Sequence, residues 1–328
     1  MRITSAALAA ALATAVTAAG AAPAAAQGPP VARLAWIKSC PDRDAVEQAC
    51  GRWRLVLSDG RTLTVKDSAT NRIGGDGAKA LFESALTLSA DGRWLAYERA
   101  GDHRLVVRRV GGAAKVLPAS LVPKRTGTDP VELRLSPRGE RLVVAFPDAD
   151  PPVPARIVDL RGGGITKLPV EDEVEALSGD GDEVLVRRHL PDNTTKLVAR
   201  RLDGTGLERT PPQVVMGATV LALARDGRTV AAFVPGHEDR RKPPGLRLYD
   251  LATGELSAAR PLPLKPADGP DRARWLDDDR LAIYQVHASD RGSTVIRVLT
   301  VDAATGATRP SWRVRVPKDS YSYTIAGE

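Results

Sequence analysis

The stretch that decides the fold is Leu86-Thr-Leu-Ser-Ala-Asp-Gly-Arg-Trp-Leu-Ala-Tyr97. An apolar run alternates, a polar turn interrupts it, and a second apolar run follows. Asp-Gly between two alternating runs is a hairpin signal, because glycine accepts the positive φ that a tight turn needs. The preceding Ser or Asp can hydrogen-bond to the turn backbone. The pattern recurs as Leu133-Arg-Leu-Ser-Pro-Arg-Gly-Glu-Arg-Leu-Val-Val144 and Glu175-Ala-Leu-Ser-Gly-Asp-Gly-Asp-Glu-Val-Leu-Val186. It recurs again as Leu221-Ala-Leu-Ala-Arg-Asp-Gly-Arg-Thr-Val-Ala-Ala232, and in degenerate form as Arg274-Trp-Leu-Asp-Asp-Asp-Arg-Leu-Ala-Ile-Tyr284. The turn glycines Gly92, Gly139, Gly181 and Gly227 are 47, 42 and 46 residues apart.

A second hairpin follows each copy, as in Leu246-Arg-Leu-Tyr-Asp-Leu-Ala-Thr-Gly-Glu255 and Val298-Leu-Thr-Val-Asp-Ala-Ala-Thr-Gly306. Four short strands per repeat of about 45 residues is the arithmetic of a propeller blade, whose two apolar faces must be covered by neighbours. A β-sandwich would not repeat its turns at this interval. The expected fold is all-β, a six-bladed β-propeller of four-stranded blades. Blades are expected near 31–68, 83–118, 131–170, 173–211, 218–262 and 272–316. The first has only three strands of its own. Tyr321-Ser-Tyr-Thr-Ile-Ala-Gly327 reads as a lone first strand with an echo of the turn, so residues 320–327 are expected to complete blade one and close the ring. Closure also removes an exposed sheet edge.

The Ser-x-Asp-Gly turn, the apolar strand after it and the Asp-Leu-x-x-Gly hairpin resemble the WD40-like repeats of TolB-type propellers, over nearly all of the chain after its leader. The resemblance implies the fold and says little about activity. TolB-type proteins carry an α/β domain ahead of the propeller; here the first strand is expected near Val31, directly after the leader.

The leader is residues 1–26. Met1-Arg2 supplies a minimal positive start, residues 3–21 are Ala-rich and uncharged, and Ala24-Ala25-Ala26 offers a cleavage site before Gln27. This pattern is that of a secretory signal peptide. Residues 27–328 then form a single propeller domain outside the cytoplasm, with no transmembrane anchor after cleavage. In an oxidising compartment the two cysteines, Cys40 and Cys50, are expected to form a disulfide.

The net charge is +7 with a pI near 9.6, but the basic residues are interleaved with acids along the chain. The densest basic cluster is Arg240-Arg241-Lys242. Nucleic-acid binding needs a concentrated stripe with stacking aromatics, so it is not expected. Ser89, Ser136 and Ser178 are turn residues, and no Gly-x-Ser-x-Gly elbow occurs. Asp180-Gly-Asp-Glu183 and Asp277-Asp-Asp279 lack the rest of a calcium ladder. Gly74-Gly75-Asp-Gly77 lacks the Lys-Ser/Thr of a phosphate loop. No cofactor is expected.

Binding residues are expected on the loops that follow the second and fourth strands of each blade, which share one face of a propeller. The candidates there are His103, Asp148, Asp150, His189, His237, Glu238, Asp239, His287 and Asp290. All four histidines of the chain fall in or beside these loops. Without a ligand spacing such as His-x-Glu-x-x-His, a metal is left open. The expected function is a non-enzymatic binding module, a monomer, for a protein, peptide or cell-envelope glycan. The alternative is a lactonase-like or lyase-like propeller enzyme, distinguished by His or carboxylates converging on the axis.

Overall fold

Six four-stranded antiparallel sheets follow one another in the computed structural model, which describes residues 29–288 and 293–327. The proposed leader and Asp290 lie outside the described residues. From Val31 onward the chain is one compact unit. Blade two is typical: Leu86–Leu88, Trp94–Glu98, Leu105–Arg109 and Lys115–Val116, paired in chain order. Blades three to six repeat it, starting at Glu132–Leu135, Asp172–Leu177, Val220–Leu223 and Arg272–Trp275. In blade one the first strand is Ser320–Ile325, which pairs with Ala32–Pro41 in the register Leu34↔Ile325 and Trp36↔Tyr323. The last strand of the chain thus completes the sheet built from the first.

The repeat period has a packing reason. The buried apolar residues fall into six clusters, one at each junction between neighbouring blades. Ring closure is one of them: Leu34, Trp36 and Ile325 of blade one pack on Ala282, Tyr284 and Ile296 of blade six. With few aromatics, Val, Leu and Ala fill most of these interfaces.

The turn glycines serve this packing as much as the turn itself. Gly139 of blade three has φ +70°, and a Cβ there would lie 2.4 Å from Trp94 Cγ of blade two. Gly181 meets Ser136 in the same way, one blade further round. Blades two to five therefore set their turns into the preceding blade, at a distance only glycine allows. Gly327, φ +91°, does this against Tyr284 of blade six, so the closing strand repeats the contact made by the turns of blades two to five.

The serines of the repeat are fully buried. Ser89 Oγ donates to Asp91 Oδ1 at 2.6 Å and accepts from Trp94 N at 2.9 Å. Ser178 Oγ makes the corresponding bonds to Asp180 Oδ1 and from Glu183 N. Their hydroxyls are consumed by turn geometry.

One segment departs from expectation. Between the stretches expected for blades one and two, Asn71–Ile73 and Lys79–Glu83 form an extra hairpin. The glycine cluster is its turn: Gly77 takes φ +82°, Gly74 N donates to Ala78 O, and Ala78 N donates to Asp76 Oδ1. Two short strands with a mixed apolar pattern gave no alternation long enough to read.

Candidate functional site

Chain direction places the connections between second and third strands on one face, together with the blade-to-blade linkers. The opposite face carries the tight turns. Three places bear on a site: the surroundings of the histidines and a pocket beside the extra hairpin, both on the loop face, and the axis of the ring.

The histidines sit in separate blades, each beside its own partner. His103 adopts φ +53°, and its Nδ1 lies 2.5 Å from Oε1 of Glu98, a fully buried carboxyl. Thr128 Oγ1 donates to the same oxygen at 2.8 Å, and Ile73 N donates to Thr128 Oγ1 at 2.9 Å. Glu98 Oε2 is buried without a hydrogen-bond partner. Burial pushes the Glu98 carboxyl above its ordinary range, opposed by the bonds from His103 and Thr128. This cluster pins the blade-two loop, the following linker and the extra hairpin to one point. His189 is exposed, 3.6 Å from Glu173. His237 is exposed and held by a backbone bridge to Lys242. His287 Nδ1 lies 4.0 Å from Asp268 Oδ1. Glu238 and Asp239 are exposed on the blade-five loop. Among the described residues, no three His, Cys, Asp or Glu side chains form a group that could hold a metal ion.

At the axis, a cavity of about 160 Å³ is lined by the first strands, including Arg134, Glu175, Arg272 and Arg274. Arg134, Glu175 and Arg274 are each engaged by neighbours. Arg134 donates to Glu132 Oε1 at 2.7 Å and to the Glu175 carbonyl at 2.6 Å. Glu175 pairs with Arg187 at 2.8 Å, and burial pushes its carboxyl upward. Arg274 Nε donates to Tyr284 Oη, which in turn donates to the Ala326 carbonyl at 3.0 Å. The space is below the roughly 300–1,000 Å³ of ordinary small-molecule sites. These side chains are held by neighbouring groups and, through Tyr284, by the closing strand.

The pocket beside the hairpin is larger, about 550 Å³. Two of the expected residues, Asp148 and Asp150, meet there with Arg72, Arg125 and Phe82. Arg72 is held rigid by bonds to the Glu83 and Asp129 carbonyls at 2.8 and 2.6 Å. Gly75 permits the approach, since a Cβ there would lie 1.9 Å from the Arg125 carbonyl oxygen. On the hairpin, Leu81 is 84% and Phe82 59% exposed. Val46, in the loop of blade one above the disulfide, and Val170, in the linker before blade four, are also exposed. Cys40 and Cys50 are bridged, with Cα atoms 5.8 Å apart. Leu81 and Phe82 carried no sequence signal as site residues, because apolar residues in a short strand read as core.

Fold and site together define a six-bladed β-propeller whose loop face is irregular and mixed in character. No protein-family model and no curated protein matches the sequence. Among solved structures the chain is similar to TolB from Acinetobacter baumannii, 13% identical with a TM-score of 0.43, over 90% of this chain and 66% of that one. It is also similar to a putative TolB from Agrobacterium tumefaciens, 13% identical with a TM-score of 0.43, over 88% and 90% of the two chains. A third is the β-propeller domain of the Trilobed protease from Pyrococcus furiosus, 12% identical with a TM-score of 0.47, over 86% and 83%. The chain spans about two thirds of the first of these. The fold assignment rests on the strand order itself.

Proposed function

We propose that this chain is an exported interaction module that holds a protein partner on its loop face, outside the cytoplasm. The observation that carries the reading is the pair Leu81 and Phe82, exposed on a hairpin beside a pocket that also holds Asp148 and Asp150. Large apolar side chains set beside fixed charges are the composition of a binding patch. Covering each would contribute about 1.5–3 kcal/mol. A buried network, Glu98–His103–Thr128, anchors the base of the hairpin, so the patch is presented on a rigid support. The disulfide supports an oxidising location, and the Ala24–Ala26 site is the proposed point of processing.

A photo-crosslinking residue at position 82 should capture a specific protein in the native envelope, and purified partner should bind at least tenfold more weakly to L81S/F82S. Equal affinity of the double variant would overturn the assignment of the patch. Intact mass of the exported form should begin at Gln27.

A further inference from the structure

The other face of the ring carries a basic groove. Between blades two and three, on the side of the tight turns, lies a groove of about 810 Å³ lined by six basic and two acidic residues; one of the six, Arg108, is paired with Asp67 and set over the Tyr97 ring. Arg93 and Arg138 come from the first turns of the two blades, and Arg109 ends the third strand of blade two. Lys115 and Arg161 continue outward from the outer parts of the same blades.

Other blades neutralise this position. In blade five the turn residue Arg228 pairs with Asp250, which ends the third strand opposite Thr229. In blade six Arg280 pairs with Asp277 of its own turn, and in blade four the third strand ends on a cation, Arg201, that pairs with Glu183 opposite it. In blade two the same position, opposite Trp94, is Arg109. Arg109 faces a tryptophan and not an acid, so it adds a second cation next to Arg93. Arg93 and Arg138 are exposed, and neither side chain has a hydrogen-bond or ion-pair partner among the described residues. Arg109 stacks on the Trp94 ring at 5.2 Å, and Lys115 donates to the Leu160 carbonyl at 3.2 Å. Of the two acids, Glu140 is engaged by Arg161, and Asp91 Oδ1 accepts from Ser89 Oγ and Arg93 N.

Strands lie about 4.8 Å apart, so cations running from the first to the fourth strand of a blade span roughly 14 Å. A row of that length matches several charges of an extended polymer better than one ion. Guanidinium forks favour the multiple acceptor oxygens of phosphate. Trp94 is covered by Arg109 and by Gly139, so no aromatic face is open for a nucleic-acid base.

We propose that this groove binds a linear phosphate-bearing polyanion without bases, on the face opposite the protein-binding patch. Fluorescent inorganic polyphosphate of about ten phosphates serves as the probe, titrated by anisotropy at several salt concentrations. The expected result is binding that weakens with salt, with log Kd against log salt having a slope of about 2–3. R93S/R138S should weaken it about tenfold and reduce the slope by about 1.5, with an unchanged melt. R240S/R241S removes the same charge from a loop on the other face, and should leave binding within twofold. Equal losses in the two double variants would overturn the groove in favour of net charge. Equal affinity for poly-glutamate would overturn the preference for phosphate, and tighter binding of a single-stranded DNA oligomer would overturn the exclusion of bases. L81S/F82S keeps full polyphosphate binding, so the two sites fail separately.

Discussion

Removing residues 319–328 takes out the closing strand and tests the ring as a unit. Ile325 is buried against Leu34 and the blade-six residues Ala282 and Tyr284. Loss of that side chain from a core costs about 2–5 kcal/mol. Tyr284 Oη loses its acceptor, the Ala326 carbonyl. An unsatisfied buried hydroxyl costs about 1–3 kcal/mol more. The sum is at least about 3 kcal/mol, before counting the backbone bonds to Ala32–Pro41. At about 2.1 cal/mol/K per residue, a domain of roughly 300 residues has an unfolding entropy near 0.6 kcal/mol/K. The truncated protein should therefore melt at least about 5 °C lower by circular dichroism. I325A alone should lower the melt by about 3–8 °C. A truncated chain melting within 2 °C of the parent would refute the reasoning, because the strand would then add nothing to the junction it completes.

G139A places a methyl group against Trp94 at positive φ; strain and overpacking together should cost about 2–4 kcal/mol, read as a lower melt with altered tryptophan fluorescence. The Glu98 carboxyl has a folded pKa above its ordinary 4.5. The folded state therefore takes up its proton more readily than the unfolded chain, and stability is lost as pH rises from about 4.5 through the folded value. The melting temperature of the parent should fall relative to E98Q over that range; a constant difference would show that Glu98 does not titrate there. C40S/C50S should lose roughly 2–3 kcal/mol through a floppier blade-one loop, with new proteolytic cleavage within residues 42–46.

Much of the architecture was legible because it depends on neighbours two residues apart. Alternation and the Asp-Gly turns mark the strands, and the interval between Gly92, Gly139, Gly181 and Gly227 marks the blades. Ser320–Ile325 was legible as a closing strand because blade one lacked a fourth strand of its own. The extra hairpin was hidden because Asn71–Ile73 and Lys79–Glu83 are too short for a period to emerge. The candidate site was legible only in part. Asp148 and Asp150 reach a common pocket, whereas His103, His189, His237 and His287 are held apart in four blades.

The sequence by itself determined the local rules: which runs alternate, where the chain turns, and how often the unit repeats. Those follow from backbone sterics and from side chains alternating between faces. Only the tertiary structure decided which distant residues meet. Glu98 reaches Thr128, and Arg93 lies in one groove with Arg138, because successive blades are rotated against each other around the axis. A basic residue interleaved with acids along the chain is neutral on average. It becomes part of a charged groove only when its blade partner is Arg109 instead of an aspartate, and the ring sets the next blade's cations beside it.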